Sequence, residues 1–245
     1  MREALESLRR RRAGVLLLHL AYFLALLAVG ALAFFGSPAA WALIAVCVAA
    51  YLLAVRPATR RYTAAVRGAI LEHAVCAGVA DFQYSPGEGV PAGAVRASGL
   101  LADNSGKAFM SREHVTGRAE GLELEMADVT FPIVEDGRNA MFSGSCVLLR
   151  CPGAELPDVT VQKGELEGLG LPGAQTRLLE ELGALIPGSL YLRAEGERLT
   201  LLLRGRFLGF RINPLMRINE ATLGVNPFPE LAQALRLARL MRRRS

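Results

Sequence analysis

The stretch LELEMADVTFPI, residues 122–133, holds two runs of strict alternation. Leu122, Leu124 and Met126 alternate with Glu123 and Glu125, and Val129, Phe131 and Ile133 alternate with Thr130 and Pro132. A period of two sends successive side chains to opposite faces, so these residues predict half-buried strands with one wet face. Downstream, Glu135-Asp136-Gly137 reads as a turn, after which Phe142, Cys146 and Leu148 fall on one side of another strand. Leu190, Leu192 and Ala194, then Glu195-Gly196-Glu197, then Leu199, Leu201 and Leu203 form a hairpin signature, and antiparallel pairing is the economical arrangement. Two helices follow from the 3.6-residue period: Ala174 to Ile186, with Leu178, Leu182 and Leu185 on one face, and Pro227 to about Arg243, with Phe228, Leu231, Leu235 and Ala238 in line. Strands and helices come in separate runs, which is the pattern of an α+β fold.

Upstream of these strands the character changes. The alternation is read from Val95 onwards; Asp81 to Gly93, rich in Gly, Pro and Ser, reads as a loop, and Thr63 to Ala80, with Val66, Ile70, Leu71 and Ala74 at helical spacing, as a juxtamembrane helix that continues or restarts the apolar helix before it. Between Arg12 and Arg56 there is no Asp, Glu, Lys or Arg, which explains how a chain of 245 residues reaches 52% hydrophobic composition. Ala13 to Phe35 is long enough, at about 34 Å, to cross a hydrocarbon core of about 30 Å. Gly36-Ser37-Pro38 breaks that helix, and Ala39 to Val55 makes a shorter second span with Trp41 and Tyr51 near its ends. Arg9, Arg10, Arg11 and Arg12 precede the first span, Arg56, Arg60 and Arg61 follow the second, and the connection carries no charge. The positive-inside rule then puts both termini in the cytoplasm. A cleaved signal peptide competes weakly, because the first apolar stretch exceeds the roughly 7–15 residues of a signal core. His19 stands in the first span without an intramembrane carboxylate and reads as a neutral, interface-proximal side chain. The expected organisation is a basic segment 1–12, a transmembrane helical hairpin 13–61, a juxtamembrane helix and loop 62–93, and a cytoplasmic α+β domain 94–245 built on a mainly antiparallel sheet with a few packing helices.

Charge follows the same division. The net charge is +5 and the pI about 9.3. Residues 1–61 hold 8 Arg and 2 Glu, residues 62–192 hold 9 basic and 17 acidic side chains, and residues 193–245 hold 11 basic and 4 acidic. The last helix carries Arg236, Arg239, Arg242, Arg243 and Arg244 beside its apolar face, a composition that suits contact with a membrane surface or a partner, or packing on the acidic part of the domain. These arginines lack an accompanying base-stacking aromatic set, which argues against nucleic acid.

Chemistry-bearing motifs are sparse. Gly168-Leu-Gly170-Leu-Pro-Gly173 matches the letter of a dinucleotide fingerprint, but the neighbouring elements read as antiparallel and Pro172 removes an amide, so no cofactor is expected there. His114, its neighbour Glu113, and Cys151 could serve as base and nucleophile, yet no known catalytic frame surrounds them. Cys47, Cys76, Cys146 and Cys151 lack zinc or disulfide spacing. No catalytic, cofactor-binding or metal-binding residue is therefore assigned.

The Arg-rich start, the two-span hairpin, SGKAFMSREHVTGRAEGLELEMADVTF (105–131), AMFSGSCVLLR (140–150) and LYLRAEGERLTLLLRGRFLGFRINPLM (190–216) together resemble the bacterial DUF3137 family over most of the chain. Ala127-Asp128-Val129 departs from the Ser-Glu-like step favoured there. The resemblance implies a bacterial inner-membrane protein with a cytoplasmic α+β domain, and no reaction. The resulting functional expectation is a membrane-anchored scaffold or binding domain that contacts the lipid bilayer, recruits a protein partner or senses the membrane surface. Gly14, Ala21, Ala25, Ala39 and Ala42 offer small-residue surfaces for a homo-oligomer. The alternative is a small-ligand sensor or enzyme with a pocket between the sheet and the helix Ala174 to Ile186.

Overall fold

The computed structural model describes residues 2–36, 39–100, 108–135, 138–163, 173–185, 190–214 and 218–242. It contains helices α1 (Arg2–Phe34), α2 (Ala39–Ala50), α3 (Arg56–Ile70), α4 (Ala92–Arg96), α5 (Gly173–Leu185), α6 (Glu220–Gly224) and α7 (Glu230–Arg242). The strands are β1 (Ala80–Ser85), β2 (Met110–Ala119), β3 (Leu122–Glu135), β4 (Arg138–Arg150), β5 (Leu156–Val161), β6 (Leu190–Gly196) and β7 (Arg198–Arg204). The fold is α+β, as the separate runs of strands and helices predict. It divides into a helical unit, Met1–His73 with Arg211–Val225, and a sheet unit, Ala74–Phe210 with Asn226–Ser245. The segment 211–225, which the sequence places with the sheet domain, thus belongs with the helices: α6 packs on α3, with Leu223 fully buried.

In the helical unit the second span continues into the juxtamembrane helix. It runs without interruption from Ala39 to Val75. Pro57 would clash with the carbonyl of Leu53 in a regular α-helix. The chain relaxes by a π-helical turn, Tyr51–Val55, in which the Arg56 N–H reaches the Tyr51 carbonyl five residues back, and the Thr59 hydroxyl donates to the Val55 carbonyl at 2.8 Å. A second π turn spans Leu71–Val75. The break expected at Gly36-Ser37-Pro38 begins as read, with α1 ending at Phe34 and Gly36 at φ +73°; residues 37 and 38 lie outside the described residues.

Among the described residues the seven strands join one antiparallel sheet in the order β1-β2-β3-β4-β7-β6-β5. The stretch 122–133 belongs to one strand, β3, whose apolar phase reverses midway. Leu122, Leu124 and Met126 point to the face shared with Leu149, Val147, Leu199 and Leu201, while Val129, Phe131 and Ile133 point to the other. The two halves of β3 therefore bury different faces. The first face packs against α7, whose Leu231, Ala234, Leu237, Ala238 and Met241 are buried and which lies against α5. On the second face, Phe131, Phe142, Tyr191 and Leu202 form a core with Val90, Val95 and Leu100, in which the Phe131 and Phe142 rings stack at 5.2 Å. Gly144 makes the β4–β7 pairing close: a Cβ there would lie 2.1 Å from the Leu203 carbonyl oxygen. Gly144→Ala is expected to destabilise the sheet by about 3 kcal/mol, read as a lower urea midpoint in pulse proteolysis of the full-length protein.

Three local expectations are corrected. Asp81 to Gly93 is not all loop, because β1 pairs with β2 as an edge strand; its side chains are exposed or half-buried, so it lacks the alternation that betrays a strand. Val95 lies in α4, and the strands of that region begin at Met110. β5 pairs with β6 at the far edge and was not anticipated, since Pro157 and Asp158 interrupt its apolar pattern. The turn at 136–137 and the end of the helix at Ile186 lie outside the described residues.

Candidate functional site

In the helical unit, α1 and the second helix form an antiparallel pair. Their register follows from the Tyr22 and Tyr51 rings, 5.4 Å apart, and from Arg12, which lies within electrostatic reach of Tyr62. Buried positions recur at sevens along α1, at Leu8, Val15 and Val29, and along the second helix at Ala40 and Cys47, then Val55 and Tyr62. The step from Cys47 to Val55 is eight, because the π turn inserts one residue into the seam. His19 sits beside this seam. A carbonyl can only accept, so its Nδ1–H donates to the Val15 carbonyl at 2.8 Å, which satisfies that nitrogen within its own helix.

Away from the seam the pair is bare. Sixteen of the twenty-two exposed large hydrophobic side chains among the described residues lie between Leu17 and Leu53, including Phe23, Leu24, Leu27, Trp41 and Leu53. Both helices are long and apolar enough to cross a membrane. Arg9, Arg10, Arg11, Arg56, Arg60 and Arg61 are exposed at the end of this belt remote from Phe34 and Ala39. Among the described residues none of their side chains has an ion-pair or hydrogen-bond partner. Gly14, Ala21, Ala25, Ala39 and Ala42 are exposed as well, so the intramolecular seam does not consume them.

The sheet unit carries a polar groove on the face away from α7. Its cavity of about 740 Å³ has a floor of Thr116, Glu125, Leu148 and Thr200 beside a row of Arg118, Glu123, Arg150 and Arg198. Arg118 pairs with Asp81 at 3.7 Å, and Arg150 with Glu123 at 3.5 Å and Glu197 at 3.3 Å. The groove thus displays nearly balanced, mutually paired charge. Leu178, Leu179 and Leu182 of α5 are buried, and α5 lies against α7.

His114, Glu113 and Cys151 do not form a catalytic set. His114 pairs with Glu125 at 2.9 Å. The strand register places Cys151 four or five residue levels away, about 15 Å. Burial pushes the Cys151 thiol up, and the Cys76 thiol to about 12, so neither offers a thiolate at neutral pH. All four cysteines are free and buried. The motif at 168–173 and the residues Arg243 and Arg244 lie outside the described residues, apart from Gly173 at the start of α5. Among the described residues no three His, Cys, Asp or Glu side chains gather as metal ligands.

The basic α7 buries its apolar side in the sheet unit. Arg239 pairs with Glu120 at 2.8 Å, Arg236 is exposed and reaches Gln233, and Arg242 lies beside Gly121 in the β2–β3 turn. Its apolar face is occupied by protein, so any contact with lipid or partner would involve the charged side alone.

A buried polar cluster escaped sequence reading. Asp128, where the apolar phase of β3 reverses, accepts hydrogen bonds from the Leu208 N–H at 2.7 Å and the Gly209 N–H at 2.8 Å, and Ser145 lies at 3.0 Å. Glu113, buried on a β-bulge with φ +60°, approaches the same loop and accepts a short hydrogen bond from the Tyr84 hydroxyl. The one available signal was an acidic residue inside the otherwise apolar four-residue run Met126–Val129. On the far side of the loop, Arg206 pairs with the fully buried Glu230 at 2.8 Å and donates to the Leu185 carbonyl at the end of α5. These contacts lock residues 205–209 to the sheet and to both helices; their partners are protein groups, which is the chemistry of a structural clasp.

No family model, curated protein or solved structure matches this chain.

Proposed function

We propose that this protein is anchored by its helical hairpin in the bacterial inner membrane, with both termini in the cytoplasm, and that the sheet unit is a scaffold or binding domain that recruits a protein partner there. The observation that carries the reading is the belt of exposed apolar side chains between Leu17 and Leu53, which water would not tolerate and hydrocarbon would. Its asymmetric flanks support the orientation: arginines at one end, no charge at the other. The resemblance to the DUF3137 family belongs to the same proposal.

Topology is tested with Ser7→Cys and Ala39→Cys in intact cells, since the four native cysteines are buried. A membrane-impermeant maleimide should label position 39 from outside and position 7 only after permeabilisation; the reverse pattern would overturn the orientation. Partner recruitment is tested by co-purification with Arg236→Gln/Arg239→Gln. Deleting residues 235–245 would be uninformative, because it removes the buried Leu235, Leu237 and Met241, each worth about 2 kcal/mol of burial. A stoichiometric partner held by the wild type and lost from the double variant supports the scaffold; none in either sample favours the second reading. That reading, a small-ligand sensor or enzyme, draws its support from the 740 Å³ groove.

A further inference from the structure

We infer that the arginine end of the hairpin is a collar that selects anionic phospholipid headgroups in the adjoining leaflet, an inference that rests on the membrane-anchored reading. The antiparallel register puts Arg60 and Arg61 about level with Ala13 and Gly14, and hence beside Arg9, Arg10 and Arg11, while Arg56 lies about a turn deeper. Consecutive residues on one helix point in different directions, and Arg56 and Arg60 share a face of the other, so the six guanidinium groups surround the pair. All six are exposed and, among the described residues, unpaired.

Two features go beyond what orientation requires. Residues 1–61 contain eight arginines and no lysine, in a chain that has two lysines in all, so every basic group of the collar is a guanidinium. A guanidinium forks two phosphate oxygens at once, which an ammonium does not. The belt is also short. Below the level of Arg56, α1 offers residues 19–35 and the second helix residues 39–55, each about 26 Å against a hydrocarbon core of about 30 Å. A bilayer that thins to meet such a belt draws its headgroups towards the collar, and the flexible stems of Arg56 and Arg60 reach outward to meet them.

The test is the association of spin-labelled phosphatidylglycerol and phosphatidylcholine with the full-length protein in phosphatidylcholine bilayers. Wild type should favour the anionic label about fivefold, the factor expected for one arginine at a charged surface. Replacing all six arginines by Gln should bring the ratio to about one, and replacing them by Lys, which keeps charge and orientation, should leave an intermediate value. Equal association of both lipids with bilayer-embedded wild type would overturn the collar alone, as would a preference that survives the six-Gln variant. Protein that carbonate strips from the bilayer would overturn the hairpin reading and the collar with it.

Discussion

Arginine at both Leu24 and Val46 is expected to remove the protein from the membrane. Leu24 is 56% and Val46 62% exposed, and each lies near the middle of its apolar segment. If the belt faced water, an exposed leucine or valine replaced by arginine would change little or improve solubility. In hydrocarbon each arginine at mid-span costs about 3 kcal/mol, so the pair approaches about 6 kcal/mol for independent sites. The readout is the fraction of full-length protein that resists carbonate extraction, beside a Glu3→Arg/Ser7→Arg control on the exposed surface of the first turns. The control should remain with the membranes while the double variant is degraded or recovered in the soluble fraction. A double variant that stays as membrane-bound as wild type would show that the belt does not face lipid.

How much of this was legible from residues depends on what each residue had to satisfy. The spans are local: forty-three residues between Arg12 and Arg56 without a charge have few other uses. The helices α5 and α7 and the β6–β7 hairpin were equally readable, because each buries one face and the period survives in the sequence. β3 was read as strand but not as one strand. A single sheet element that changes its buried face at Ala127 and Asp128 looks, from periodicity alone, like two elements joined by a break. β1 and β5 sit at the sheet edges, where less burial constrains the pattern. The helical spacing of Val66, Ile70 and Leu71 made the juxtamembrane helix readable, whereas the π turn that accommodates Pro57 leaves no periodic signal in the sequence. Segment 211–225 could not be assigned to the helices from sequence, because Ile218 and Leu223 are too few to reveal what they pack against.

The polar sites show the same limit. The arginines that fix orientation were visible because charge next to an apolar run has a direct physical consequence. The roles of Arg206 and Asp128 were not, because both act on partners distant in sequence: Leu185 and Glu230 for one, Leu208 and Gly209 for the other. His114 was noticed for its chemistry and proved to be one end of a cross-strand pair with Glu125.

Asp128→Ala should lower the stability of the sheet unit by about 4 kcal/mol. The carboxylate is 4% exposed and Leu208 1%, so its removal strands the Leu208 amide out of reach of water and the Gly209 amide in a half-buried place, each worth about 1–3 kcal/mol, and also frees Ser145. Trp41 is the single tryptophan and lies in α2, so its fluorescence would follow the helical unit; pulse proteolysis in urea follows the sheet instead. A loss below about 1 kcal/mol would mean that the loop finds other acceptors. The pH dependence separates the clasp from simple packing. Burial pushes the Asp128 carboxyl up and neighbouring Glu113 adds to the rise, against the opposing pull of the Leu208 and Gly209 amides and of Ser145. Protonation also resolves a shortage: the Ser145 hydroxyl has one proton for two acceptors, Asp128 and the Arg206 carbonyl at 2.9 Å, and a protonated Asp128 can donate to Ser145, freeing that proton for Arg206. A carboxyl whose folded pKa exceeds its unfolded value of about 3.9 contributes stability that is fully present below that pH and is lost as pH rises through the folded value. Asp128→Asn keeps the shape, turns an amide N–H towards one of the two donors, and cannot titrate. The stability gap between wild type and Asp128→Asn should therefore be widest below about pH 4 and narrow towards neutrality, whereas a gap that widens with pH would mean that the two amides and Ser145 outweigh burial and hold Asp128 ionised.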